Sequence, residues 1–339
     1  STSRPTTSSC SIPNGALRAG SRDGPLKQSR TTAVRETPLP HARRRSGFAA
    51  GVRRYGLFYL LLLPTFLFAF AFYYYPLASG IFHSFTYWDI KRTVWVGLDN
   101  YTRLFASPAT LAAWRNMALI VVSQVIVVLT LPLLGAALVH HVRRGQYWWR
   151  VAFVLPIVVP ATVVVFVWRW FYGIDGGINY MLRLIGLDQL TRAWLGDPAT
   201  ALWAIIFVGF PWVAGLNFLI YLAALQSIPE EILDAARVDG ATALRTFFQI
   251  ELPIIRPQMS LLVTLTVIYF LRSFDAPLIM TNGGPGTTGT LVPGLQMYRA
   301  IRDELDLGYG SAIGTVLFGV LLAVSLANLA IRRRLEDAQ

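Results

Sequence analysis

Along the chain, long apolar runs alternate with short polar, arginine-containing stretches, and six runs are long enough to cross a hydrocarbon core, which takes about 20 residues of helix. They are Leu57–Tyr75, Met117–Val139, Val151–Phe171, Ala201–Leu225, Pro257–Thr281 and Tyr309–Ile331. The first holds no charge, the third only Arg169 near its end, and the fifth carries Arg272 and Asp275. In hydrocarbon every backbone N–H and C=O must be satisfied within the segment, so helices are the expected form. The expectation is an all-α, polytopic membrane protein with six transmembrane helices. Pro64, Pro132, Pro156, Pro160, Pro211 and Pro277 fall inside these runs and predict kinks.

Composition supports this picture. Of 339 residues, 54% are hydrophobic and 14% charged, where a soluble domain carries about 25% charged residues. Residues 1–54 differ: they are rich in Ser, Thr, Pro, Gly and Arg and read as a disordered basic tail. That tail is too long for a signal-peptide n-region, so the first apolar run is expected to be a retained helix.

The net charge of +12 would suggest nucleic-acid binding in a soluble protein, but the arginines flank apolar runs and fit membrane orientation better. With the N-terminus inside, the inner regions 1–54, 140–150, 226–257 and 332–339 hold 11, 3, 3 and 3 basic residues, leaving 10 of the 30 for the spans and outer loops. Both termini are then cytoplasmic, in an inner (cytoplasmic) membrane protein, and no nucleic-acid partner is expected. The single cysteine, Cys10, excludes an intramolecular disulfide and a Cys-based metal site. His41, His83, His140 and His141 lack a ligand spacing with acidic neighbours, so no metal is expected. A Walker A loop needs Gly-Lys-Ser/Thr, and neither Lys27 nor Lys91 follows a glycine. The chain is expected not to be an enzyme.

The stretch between the fourth and fifth runs, 227–253, is richer than a connector. Ser227 and Glu230 have capping-box spacing, and Pro229 suits a first helical turn. Glu230, Glu231 and Asp234 favour a helix N-terminus. Ile232, Ala235 and Ala236 fall on one side, and Gly240 supplies a stop. A second amphipathic stretch, Thr242–Glu251, ends at Leu252-Pro253. Two short helices at an angle are expected, exposing small and apolar residues. An amphipathic hairpin lying on the membrane surface fits the same pattern.

The run Asp234-Ala235-Ala236, Gly240, Ile250 and Leu252-Pro253 resembles the EAA motif of binding-protein-dependent ABC importer permeases, with every spacing kept and Asp234 standing for glutamate. The flanking Ile228-Pro229-Glu230-Glu231 and Asp239-Gly240-Ala241 are similar to the carbohydrate branch, and Thr281-Asn282-Gly283-Gly284-Pro285 resembles a turn of its maltose-permease-like members. The likeness covers residues 55–331. It implies a transmembrane domain over that range, a cytoplasmic C-terminus at 332–339, and a coupling loop that docks on a separate ATPase. Glu230, Glu231, Asp234, Ala235, Ala236, Asp239, Gly240, Ile250, Leu252 and Pro253 would then carry the coupling. It also implies a second homologous permease subunit, an ATP-binding subunit dimer and an extracytoplasmic substrate-binding protein. The chain itself would bind no cofactor, with ATP and Mg used by the ATPase.

By the same resemblance, substrate-pathway candidates are Gly209, Trp212, Thr266, Tyr269, Phe270 and Ser273. Aromatic faces and hydroxyls suit sugars, while ordinary helix packing explains the same residues equally well. Arg272 and Asp275, three apart on one helix, can pair and are expected to face a cavity or partner; a place near the outer interface, with Arg272 snorkelling, is the alternative. A secondary transporter or channel subunit is the alternative function; a membrane-embedded enzyme would need clustered His, Asp, Glu or Cys at membrane depth. The importer reading makes this chain one half of a translocation pathway for a sugar or related solute.

Overall fold

The computed structural model describes residues 60–142, 144–210 and 215–336, with side chains as far as residue 330. The basic tail, Pro211 and Trp212 lie outside the described residues.

Among the described residues, three helices are long and apolar enough to cross a membrane: α1 (Leu60–His83), α3 (Pro108–His141) and the first 24 residues, Leu307–Ala330, of α14 (Leu307–Glu336). Between α1 and α3 lie a hairpin of β1 (Thr86–Trp88) and β2 (Thr93–Trp95) and the short α2 (Asp99–Ala106). The hairpin is antiparallel with Thr86 opposite Trp95. Its turn is closed by Asp89, whose carboxylate accepts the N–H groups of Lys91 and Arg92 at 2.7 and 2.6 Å, and those bonds hold its pKa below the usual carboxylate value. Asn100 on α2 donates to the carbonyls of Ser84 and Thr86, both at 2.9 Å. Arg103 reaches across to Asp306 at 2.6 Å and lies over the Tyr309 ring, tying α2 to the start of α14.

The other three expected runs are not single straight helices. The third is α4 (Gln146–Val158) followed by α5 (Ala161–Phe171), bent by 89°. The break falls at Val159-Pro160, where proline donates no N–H and pushes the residue before it out of helical conformation: Val159 has ψ 123. After the short α6 (Gly177–Leu184), the fourth is α7 (Ala201–Ile206), a turn through Phe207–Phe210, and then α8 (Gly215–Gln226). The fifth is α11 (Arg256–Arg272) and α12 (Asp275–Thr281), separated by the extended Ser273 (ψ 132). Ahead of it, α10 (Ala243–Ile254) meets α11 at a 68° bend. Six unbroken crossings are therefore not found among the described residues: three are continuous, and the number rises to five if each bent pair is one span. The all-helical class stands, with β1 and β2 its one addition among those residues.

Helices with apolar surroundings gain little from hiding apolar area and associate instead through close packing and small residues at contacts. Such a contact joins α3, α4 and α8. A Cβ on Gly135 would come 3.2 Å from the Phe153 ring, which stacks on Phe218 at 4.6 Å. Ala136, Val139, Tyr221, Leu225, Ile228 and Ile255 complete that core. A second core joins α3, α7, α11 and α13 (Pro293–Arg302) through Met117, Ile120, Ile206, Leu271 and Leu295.

Candidate functional site

The loop after α8 folds into two short helices, as its pattern predicts. The first, α9, is Glu230–Val238, and the second is α10. Pro229 is the N-cap residue of α9, in extended conformation (ψ 136), with Glu230 and Glu231 in the first turn. The expected capping box does not form: the Ser227 hydroxyl donates to the Ala224 carbonyl at 2.7 Å instead, closing the end of α8. At the far end Gly240 has φ +73, a left-handed conformation that costs glycine least. The Ala241 N–H then bonds the Ala236 carbonyl at 3.0 Å, and the Gly240 N–H bonds that of Arg237 at 3.1 Å. Thr242 caps α10 by accepting the Arg245 N–H at 3.4 Å.

The inner face of α9 is not the one expected. Leu233 and Ala236 turn toward the core, whereas Ile232 and Ala235 face outward. The reason is Ile228: buried against Leu225 and Ile255, it fixes the roll of α9 as the chain leaves α8. Asp234 pairs with Arg237 at 2.5 Å, with both side chains exposed, a pairing worth little in water. Asp239 and Glu231 are exposed, and Ile250, Leu252 and Pro253 are half-buried. The outward surface is apolar for a loop: Val238 is 88% exposed, Leu244 72% and Phe248 59%.

Between α9, α10 and the ends of α3 and α8 lies a cleft of about 610 Å³. Its lining includes Glu230, Asp234, Arg237, His140, His141 and Glu251. Glu251, one residue before Leu252-Pro253, has a side chain only 1% exposed. Its Oε1 is 3.6 Å from His141 Nε2, and its Oε2 has no partner among the described residues. His141 Nδ1 lies 2.8 Å from the Ala137 carbonyl oxygen, which can only accept, so Nδ1 carries a hydrogen. A neutral His141 thus turns a lone pair toward Glu251. It neutralises the carboxylate only when doubly protonated. Burial pushes the Glu251 carboxyl up, and His141 opposes this.

The pathway candidates are partly brought together. Thr266, Tyr269, Phe270 and Ser273 recur along one stripe of α11. Thr266 is buried, Tyr269 is 57% exposed, and Phe270 packs into the second core with Ile206. Ser273 is the residue at which α11 stops. Gly209, with φ +83, sits in the turn that ends α7, three residues past Ile206. Trp212 lies outside the described residues. Arg272 and Asp275 fall on opposite sides of the α11–α12 break and form no ion pair among the described residues. The expected intrahelical pairing is lost because the helix ends between them.

Two buried amides on α3 went unremarked in the sequence. Gln124 donates to the Ile206 carbonyl at 2.7 Å, where α7 breaks. Asn116 donates to the carbonyls of Thr288 and Leu291 at 2.9 and 3.0 Å. For Gln124 the signal was an amide within an apolar run, which needs an internal partner; Asn116 stands just ahead of that run, beside Arg115. The Thr281–Pro285 turn is closed by donors from the segment that follows it: Asn282 has φ 47, its carbonyl accepts from Arg299, and the Thr290 hydroxyl donates to Gly284 at 2.8 Å.

Against known proteins, a family model described as "Binding-protein-dependent transport system inner membrane component" matches residues 128–337. The probable ABC transporter permease YurN of Bacillus subtilis is 34% identical over 276 residues, 80% of this chain and 94% of that one. The sulfoquinovosyl glycerol transport system permease SmoG of Agrobacterium fabrum is 31% identical over 81% of this chain and 89% of its own length. Among solved structures, a chain of a bacterial ABC transporter involved in import of the acidic polysaccharide alginate superposes with a TM-score of 0.75 at 25% identity, covering 84% of this chain and 97% of that one. The chain belongs to the binding-protein-dependent transport family of inner membrane components, the ABC importer permeases.

Proposed function

We propose that this chain is the membrane-spanning subunit of an ATP-driven importer and forms half of a translocation pathway for a sugar or related solute. The observation that carries the coupling role is the outward surface of α9 and α10: Val238, Leu244 and Phe248 stand exposed on a loop closed by Gly240. An apolar patch on such a loop marks a protein contact, and the partner is a separate ATPase, which uses ATP and Mg. The loop then faces the cytoplasm together with both termini. A second permease of the same family completes the pathway, and an extracytoplasmic binding protein delivers the solute. The sugar assignment rests on relatives named for sugar-derived solutes.

The test is uptake and ATP hydrolysis by the chain co-expressed with its permease and ATPase partners in proteoliposomes. Hydrolysis should rise when a sugar-loaded binding protein is added. Ala235→Arg, on the outward face of α9, should leave membrane insertion intact and abolish that stimulation. Normal uptake by the variant would refute the coupling role.

A further inference from the structure

The cleft between the loop and the helix ends carries more negative charge than its surroundings call for. Glu230, Asp234 and Glu251 share the lining with Arg237, its one arginine or lysine among the described residues, in a chain whose net charge is +12. Asp234 already holds Arg237 at 2.5 Å. Glu251 is different in kind from the other two. It is buried, His141 meets it only when doubly protonated, and its Oε2 has no partner among the described residues. Leaving a buried carboxylate oxygen unpaired costs more than a pairing at the surface returns. A protein keeps such a group where something else completes it. No group of three or more His, Cys, Asp or Glu among the described residues has a geometry that would hold a metal ion, which disfavours a bound cation of that kind. The volume, about 610 Å³, admits a long side chain with its water.

We propose that this cleft is a socket for one lysine or arginine side chain of the ATP-hydrolysing partner, with Glu251 as its buried counter-charge. This rests on the reading of the chain as a permease driven by a separate ATPase. The apolar surface of Val238, Leu244 and Phe248 supplies contact area; the socket fixes register, because a charge placed elsewhere leaves Glu251 unmet.

The experiment compares the wild-type complex with Glu251→Gln, which keeps shape and removes charge. The co-expressed ATPase subunit should dissociate at least about thirtyfold more readily from the variant, the lower end expected for losing one member of a buried pair. A measurement that needs no variant runs beside it: modification of Glu251 by dicyclohexylcarbodiimide, read by mass spectrometry. Labelling should fall severalfold when the detergent-solubilised chain is assembled with the ATPase. Undiminished retention in Glu251→Gln would overturn the socket, as would equal labelling with and without the ATPase. Loss of the nucleotide-free complex on adding EDTA would put a metal in the cleft and overturn it too. A wild-type chain that fails to retain the ATPase at all would refute the functional reading itself, an outcome distinct from the others.

Discussion

Gln124 Nε2 donates to the carbonyl oxygen of Ile206 across 2.7 Å, joining the middle of α3 to the last turn of α7. That carbonyl is one of the groups a helix leaves unpaired where it stops. At the protein surface water would take it. In an apolar setting a side chain has to, and Gln124 is 7% exposed.

Replacing Gln124 with leucine should therefore cost about 1–3 kcal/mol, the penalty for an orphaned buried acceptor. Thermal unfolding of the detergent-solubilised chain measures it. An unchanged midpoint would show that the α7 break is satisfied in another way.

Gly240 offers a different kind of test. A Cβ there would meet nothing within 4 Å, so crowding is not at issue, but φ is +73. Substitution by valine should cost about 1–2 kcal/mol of local backbone strain, while asparagine, which tolerates this conformation, should lose much less. Hydrogen exchange across residues 236–243 should rise in the valine variant, and coupled ATP hydrolysis should fall. Equal protection in both variants would refute the strain argument.

At Gly308 the constraint is space. A Cβ would lie 2.0 Å from the Thr86 carbonyl oxygen and 2.9 Å from the Trp88 N–H nitrogen, both backbone atoms of β1 that cannot swing aside. Gly308→Ala should separate the start of α14 from the hairpin and lower the melting midpoint, at about 1–3 kcal/mol for overpacking. A midpoint equal to wild type would show that the hairpin yields.

Arg272 and Asp275 should behave independently. A double-mutant cycle with Arg272→Leu and Asp275→Asn should return an interaction below about 0.5 kcal/mol, the level for groups with no shared contact. A coupling above 1 kcal/mol on the same scale would restore the pairing that helical spacing alone suggests.

These cases show where sequence pattern suffices. Apolar runs mark the helices because their length and lack of charge are local properties. The turn at Gly240 and the entry at Pro229 were legible because glycine and proline act on their own backbone. Three things were not. The break after Ile206 is met by a distant donor, Gln124, unlike the one at Val159-Pro160, where proline acts on its own neighbour. The face of α9 depends on Ile228, whose burial is set by Leu225 and Ile255. Ser227 follows one helix and precedes another, and its bond to Ala224 belongs to the end of α8. Glu251 was readable in principle, as a carboxylate in the otherwise apolar stretch before Leu252-Pro253, but its burial is not a local fact.

The 34 residues of α3 make a rod of about 51 Å at 1.5 Å per residue, against roughly 30 Å of hydrocarbon. One continuous helix therefore carries Asn116, held by the loop around Thr288 and Leu291, Gln124 at the α7 break, and His141 beside Glu251. A tilt imposed at the His141 end reaches the Asn116 end through this helix, less whatever Pro132 takes up between them. Pro132, buried within the rod, removes one rung of its hydrogen-bond ladder and marks the place where such a strut flexes.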